Sequence, residues 1–294
     1  MKRCLSCGNV FQSQFWVCPA CGKEPERHEG RLCFSPDLAW NNDGFNANEF
    51  GAYADLEGKN FWFSSRARLL THLIGKYFPQ LGYFFEIGCG TGFILSSLNK
   101  ALPNAKLLGS DIYLKGLSFA DRRLQGKTEL FQMDACNIPF YHAFDAVGAF
   151  DVLEHIENHE KALEEICAAV RPGGGLVLTV PQHPFLWSAW DEMNQHKRRY
   201  ASGELRKMVE NEGFQILLAS SFATLILPLV FLKRVADRHK KEMSFSDEAG
   251  TNPLINSACA AVMAVERGLI YSGLRFPLGS SSLVIARKPE QARR

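Results

Sequence analysis

"YFFEIGCGTG", Tyr83 to Gly92, decides how this chain is read. An apolar run carries an acid, Glu86, and three glycines then stand at alternate positions, Gly88, Gly90 and Gly92. That pattern describes a buried strand turning through a glycine loop, where backbone can approach a ligand closely because no Cβ intervenes. The spacing is G-x-G-x-G, one residue short of the dinucleotide loop G-x-G-x-x-G. Alone it is a weak signal. Outward from it, "AKLLGS", "TELFQM", "FDAVGAF" and "GLVLTVP" are further buried-strand candidates separated by helix-length segments. Such alternation predicts βαβ units and a parallel sheet covered on both faces.

Ligands in such sheets bind beyond the carboxyl ends of the strands. Asp111 in "LLGSDIY" follows the second strand, about 20 residues past the loop, where a carboxylate can accept ribose hydroxyl hydrogens. Asp134 in "FQMDACNIPF" follows the third, "FDVLEHIEN" the fourth and "PQHP" the fifth.

The series "EIGCGTG", "SDIY", "MDACNIPF", "FDAVGAFDVLEHIEN" and "VRPGGGLVLTVP" resembles class I S-adenosylmethionine-dependent methyltransferases, in particular the broad bacterial group acting on small molecules, quinones and lipids. The resemblance runs over roughly residues 60–290. It implies an α/β fold, a Rossmann-like seven-stranded sheet with helices on both faces and an antiparallel last strand, for which "SSLVIARK" is the candidate. It also implies S-adenosyl-L-methionine as cofactor. Glu86, Gly88, Cys89, Gly90 and Gly92 would hold its methionine end, Asp111 and Ile112 the ribose, and Asp134 and Ala135 the adenine. Phe150 and Asp151 would lie beside the sulfonium. Because the sulfonium is already an activated electrophile, the protein need only align an acceptor behind the methyl and exclude water. A dinucleotide-binding fold and a non-catalytic scaffold are the alternatives on the same sheet.

The 294 residues are 46% hydrophobic and 22% charged with net charge +2, an ordinary globular composition that gives no global mandate for nucleic acid. The N-terminus lacks secretory and transit patterns, and no run approaches the roughly 20 apolar residues that span a bilayer. A cytoplasmic setting is expected. Four of the nine cysteines, Cys4, Cys7, Cys18 and Cys21, form two C-x2-C pairs ten residues apart. Two such knuckles can close a tetrahedral four-sulfur site for structural Zn2+, and residues 1–25 resemble a zinc ribbon. The redox reading of C-x2-C lacks its flanking βαβ pattern. Residues 26–59, opening on the charged, turn-rich "ERHEG", read as linker and N-terminal extension, and 60–294 as the methyltransferase domain. Trp62 and Phe63 read as helix packing, with a lid over a ligand as the alternative.

The acceptor is sought in "PQHPFLWSAWDEMNQHKRRYASGEL", Pro181 to Leu205, which overhangs the pocket mouth. His183, Trp187, Trp190, Arg198 and Arg199 are its candidate substrate contacts. His155 and His196 are candidate bases, and Tyr200 joins His196 if the segment is helical, one turn apart. The bland readings are a helix-start histidine and a solvated arginine pair. A carboxylate acceptor would need no base. His155 and His159 have metal-ligand spacing, but H-E-x-x-H is absent and no second metal is expected. The expected reaction is methyl transfer, foremost to oxygen, on a small-molecule or lipid-like acceptor. An RNA methyltransferase gripping nucleic acid with the ribbon is the alternative. Against it, "AFDVLEH" is not the N/D-P-P-Y/F type, and the ribbon's basic residues are offset by Glu24, Glu26 and Glu29.

After "FQILLASSF", a sixth strand, residues 223–280 form an insertion expected to be helical. In "LILPLVFLKRVADRHKK", Phe231, Leu232, Val235 and Ala236 share one face, and Lys233, Arg234, Asp237, Arg238, Lys240 and Lys241 the other. A second helix is expected in "NPLINSACAAVMAVERGLIY". The apolar face could cover the sheet or a second subunit in a homodimer, wall a hydrophobic acceptor, or touch an anionic membrane peripherally at its inner face.

Overall fold

Four short strands come first: β1 (Lys2–Arg3), β2 (Val10–Phe11), β3 (Glu26–His28) and β4 (Arg31–Cys33). The structure, a computed structural model, describes residues 1–39, 46–237 and 252–290. Helices α1 (Phe50–Leu56) and α2 (Phe61–Tyr77) lead into β5 (Tyr83–Ile87). There follow α3 (Phe93–Ala101), β6 (Lys106–Asp111), α4 (Leu114–Leu124), β7 (Glu129–Gln132), β8 (Phe144–Phe150), α5 (His159–Ala169) and β9 (Val170–Pro181). The chain ends with α6 (Ala189–Met193), α7 (Glu204–Asn211), β10 (Gln215–Phe222), α8 (Leu227–Asp237), α9 (Pro253–Tyr271) and β11 (Ser281–Arg287).

The main sheet has the order β10-β11-β9-β8-β5-β6-β7-β4-β3. Strands β5 to β9 are parallel, and β11 runs antiparallel to both neighbours, as the resemblance implies. The order reverses between β5 and β8, so the loops after these two strands diverge and leave a crevice at the sheet's carboxyl edge. Side chains on both faces of β5 are covered: Phe84 and Phe85 point to opposite sides and both are fully buried. Each contributes about 1.5–3 kcal/mol by burial.

Two features differ from expectation. The seven strands implied, β5 to β11, are present, and the sheet is extended to nine because residues 26–33 are not a linker. They form the β3–β4 hairpin, and β4 extends the sheet in parallel beside β7 through the Leu32–Phe131 and Cys33–Gln132 pairs. The charged turn that reads as a linker is a tight hairpin turn, with Glu29 and Gly30 both at positive φ.

The insertion is inverted. On α8 the apolar side chains Leu229, Phe231, Leu232 and Val235 are exposed, while Lys233 and Arg234 are half-buried and Asp237 is buried. The apolar face therefore does not cover the sheet. Arg238, Lys240 and Lys241 lie outside the described residues. Helix α9 starts on an Asn252 cap, whose side chain accepts the Leu254 amide hydrogen at 2.9 Å, and packs along α2. It is long and apolar enough to cross a membrane, contrary to expectation, but its buried stripe (Cys259, Met263, Glu266, Arg267 and Ile270) faces the protein.

Candidate active site

The site begins where β5 ends. Gly88 and Gly90 adopt φ of +67° and +51°, and a Cβ on Gly88 would stand 2.5 Å from Val152 Cγ2. The glycine is thus required by backbone conformation and by the close passage of the chain after β8. Asp111, at the end of β6, ties the loop down: Oδ2 accepts from the Gly90 amide and Oδ1 from the Tyr113 amide, both at 2.9 Å. Burial pushes its carboxyl up to about 6, against these amides, which favour the charged form. Asp134 accepts from the Cys136 amide at 2.9 Å.

These residues line one cavity of about 880 Å³, together with Glu86, Cys89, Ile112, Ala135, Phe150 and Asp151. Gly92 is not on its wall. It opens α3 in the left-handed region, against Ala120. Glu86 is buried, its Oε2 has no hydrogen-bond partner among the described residues, and desolvation holds its carboxyl well above the usual range. An orphaned buried carboxylate beside a glycine cradle fits the ammonium of S-adenosylmethionine, and Asp111 has lone pairs left for ribose hydroxyls.

Groups that sequence reasoning missed come from α1, α2 and the turn between them. Glu57 accepts from Thr91 Oγ1 at 2.8 and 2.6 Å and from Arg123 Nη1 at 2.7 Å, clamping the glycine loop from outside. Arg66 is desolvated and pairs with Asp151, which also accepts from Thr179 Oγ1 at 2.9 Å. The signal was legible only in retrospect: an arginine set among the apolar positions of "NFWFSSRARLL". Trp62 and Phe63 pack as expected, Trp62 against the core and Phe63 against Tyr53. Trp62 stacks on Phe222 with centroids 5.4 Å apart, and Trp62 and Phe63 both line the cavity.

The acceptor-side candidates separate. His155, His196, Trp190 and Arg199 line the cavity, while Tyr200, His183, Trp187 and Arg198 do not. Residues 196–199 are not helical, so the one-turn pairing of His196 with Tyr200 fails. Tyr200 is fully buried and its hydroxyl meets His159 Nδ1 at 2.9 Å. Arg198 donates to the Ile156 and Glu157 carbonyls, and Trp187 Nε1 to Glu192. His183 is buried at positive φ and stacks on Phe185. Arg199 donates to Asp191 Oδ1 at 2.7 Å, which also meets His196 Nδ1 at 2.8 Å. Asp191 itself is placed by a capping box with Ser188. The His155 and His196 rings lie edge to face, 4.8 Å between centroids. Buried Glu154, not singled out from sequence, joins them. Desolvation pushes its carboxyl up to about 8, and desolvation with His196 nearby holds His155 down to about 3.

At the far end of the chain's N-terminal segment, the four cysteine sulfurs lie within 4.8 Å of one another, with Cys4–Cys21 and Cys7–Cys18 each at 3.6 Å. Tetrahedral zinc with Zn–S of about 2.3 Å sets its sulfurs about 3.8 Å apart, so the residues fit the ion. Gly8 and Gly22, both at positive φ, close the knuckles by donating to the Cys4 and Cys18 carbonyls. The ribbon docks on its own chain: Trp16 packs against Phe34 and Phe140, and Arg3 bonds Glu165 and the Ile138 carbonyl.

A family model described as a methyltransferase domain matches residues 58–219. Trans-aconitate 2-methyltransferase of Variovorax paradoxus is 31% identical over 106 residues, 36% of this chain and 40% of that protein. A ubiquinone/menaquinone biosynthesis C-methyltransferase of Desulfotalea psychrophila is 29% identical over 101 residues, 34% of this chain and 41% of that protein. The chain thus spans about two fifths of the length of these relatives. Among solved structures, phosphoethanolamine N-methyltransferase 2 of Haemonchus contortus, in complex with S-adenosyl-L-methionine, shares the fold at a TM-score of 0.56 and 18% identity, covering 83% of this chain and 58% of that one.

Proposed function

The chain belongs to the methyltransferase-domain family; on that premise we propose that it is a class I S-adenosylmethionine-dependent methyltransferase that methylates an oxygen of a small lipophilic acceptor. The observation that carries this reading is the two-ended cavity. One end holds the glycine loop with Glu86 and Asp111. The other is walled by Trp62, Phe63, Trp190, Ile226 and Val230, and there Glu154, His155 and His196 come together beside Asn194 and Arg234.

S-adenosylmethionine supplies an electrophilic methyl group whose bond to sulfur breaks, the electron pair staying on sulfur, as an acceptor lone pair takes the carbon. The chain's own residues do the rest. Glu86 meets the ammonium, Asp111 the ribose, and Asp134 with Ala135 the adenine. The Arg66–Asp151 pair fixes the end of β8, where the acceptor and the methyl group meet. The aromatic wall excludes water and orients an apolar body, so that a hydroxyl reaches the polar group and loses its proton there. The start of the insertion supplies part of this wall through Ile226 and the α8 residues Val230 and Arg234.

The test is transfer of labelled methyl from S-adenosylmethionine to a solvent extract of cellular small molecules. Label in an ether or ester of an organic-soluble product is expected. Label in RNA, or on nitrogen or carbon alone, would overturn the oxygen reading.

A further inference from the structure

We propose that Glu154, His155 and His196 bind a divalent cation at the acceptor end of the cavity. This deepens the oxygen-acceptor reading and rests on it. One ligating atom from each lies within 4.8 Å of the others. Both Glu154 carboxylate oxygens and His155 Nδ1 are buried with no hydrogen-bond partner among the described residues. Polar atoms left so cost about 1–3 kcal/mol each, more if charged, unless something absent from the fold itself satisfies them.

The surroundings are those of a ligand set. Asp191 engages His196 Nδ1 at 2.8 Å, which orients the ring and leaves Nε2 for a metal. Asp191 is in turn held by Arg199 Nε at 2.7 Å and by the Ser188 amide at 3.0 Å. The main chain at Asn194 hydrogen-bonds the His155 ring, which leaves Nδ1 as its free atom. The two cations that act on Glu154 are engaged elsewhere, Arg199 with Asp191 and Arg66 with Asp151. The expectation of no second metal rested on His155 and His159. The fold instead sends His159 to Tyr200 and brings His196 to His155 from 41 residues away.

Two imidazoles and one carboxylate suit zinc, manganese or ferrous iron and leave coordination positions open, unlike the closed four-cysteine site. The spread of 4.8 Å contracts by small side-chain rotations to the separation of ligands about 2.1 Å from one ion. A hydroxyl oxygen of the acceptor enters an open position, and its pKa falls so that the O–H proton passes to water at neutral pH. The oxygen pair then forms the bond to the methyl carbon as the carbon–sulfur pair stays on sulfur.

Manganese distinguishes this site from the ribbon, because it favours oxygen and nitrogen over thiolate. The experiment titrates Mn2+ into the full chain with its ribbon zinc-loaded and reads free Mn2+ by electron paramagnetic resonance. One bound ion per chain is expected, weakened about tenfold or more in His155→Ala and His196→Ala. S-adenosylhomocysteine affinity reports whether a variant is folded, and Glu154→Gln, which keeps the side-chain volume, serves where alanine does not fold. No Mn2+ bound by the wild-type chain, or affinity unchanged in the folded variants, would overturn the cation site. An oxygen-methylated product from metal-stripped enzyme, unaffected by added Mn2+, would overturn the site and leave the oxygen reading intact.

A different observation carries a second inference: the outward faces of α8 and α9 dock on an anionic lipid surface. The exposed side chains of α8 are Pro228, Leu229, Phe231, Leu232, Val235 and Ala236. Those of α9 include Leu254, Ile255, Val262, Val265 and Leu269, and no exposed residue of either helix within its described span is charged. At the flank, Lys59, Arg68 and Lys76 are exposed and α2 contains no acid at all. Their elements touch α9 directly, through Asn256 Nδ2 to the Lys59 carbonyl and Tyr271 hydroxyl to the Arg68 carbonyl. An uncharged apolar face with a basic border matches acyl chains below phosphate headgroups. Co-sedimentation with vesicles of phosphatidylcholine containing phosphatidylglycerol is the test. Binding that falls with salt, and is lost in the Leu232→Glu/Val265→Glu variant, is expected. No binding at low salt, or a dimer that the same variant dissociates without any vesicle binding, would overturn it.

Discussion

Asp111 shows how one side chain serves two demands. Its backbone partners Gly90 and Tyr113 fix the loop, yet burial raises its pKa from an ordinary 3.8 to about 6. Between those values the folded chain binds more protons than the unfolded one, so this group's contribution to stability falls as pH rises from about 4 to about 6. The loss is about 3 kcal/mol at 1.36 kcal/mol per unit. Melting of the ligand-free Asp111→Asn variant should therefore improve relative to wild type across that window, while its affinity for S-adenosylmethionine drops. A difference in melting temperature that does not change with pH would contradict this. Asp111 was legible because an acid at a strand's carboxyl end has few structural reasons to be there. Tyr200 was misread because one-turn spacing presupposes a helix, and residues 196–199 are held outside one by bonds from Arg198 and Arg199 to distant main chain.

At the scale of elements, strands and the glycine loop were legible because burial on both faces leaves continuous apolar runs. Gly88 opens the loop that leaves β5, where the chain after β8 passes against it. A methyl group there meets Val152 at 2.5 Å on a backbone at φ +67°. Gly88→Ala should cost about 1–3 kcal/mol in chemical denaturation and weaken cofactor binding, since Val152 adjoins Asp151. Denaturation unchanged from wild type would show that the loop tolerates a Cβ. Helix α8 marks the limit of pattern reading. Its amphipathic spacing was visible, but periodicity alone does not say which face is turned inward, and Asp237, with Lys233 Nζ at 3.1 Å, is buried while the apolar Phe231, Leu232 and Val235 are exposed. The β3–β4 hairpin escaped because three-residue strands carry no period.

At the scale of the molecule, the ribbon and the main sheet are joined by Trp16 among Phe34, Phe131 and Phe140, and by Arg3 on Glu165. A segment this small has no core without its ion. Chelation should release one zinc per chain, change Trp16 fluorescence and lower the melting temperature of the whole chain by several degrees. An unchanged melting temperature after zinc release would show that the ribbon lends the sheet nothing. The account as a whole stands on the cavity at the carboxyl edge of β5, β6 and β8. Calorimetric titration of S-adenosylmethionine into the full chain tests it most directly. One molecule per chain is predicted, with affinity reduced about 10–100-fold in Asp111→Ala, the loss of about 1.5–3 kcal/mol expected for hydrogen bonds to a charged group. No binding by the wild-type chain, or the same affinity in the variant, would contradict it.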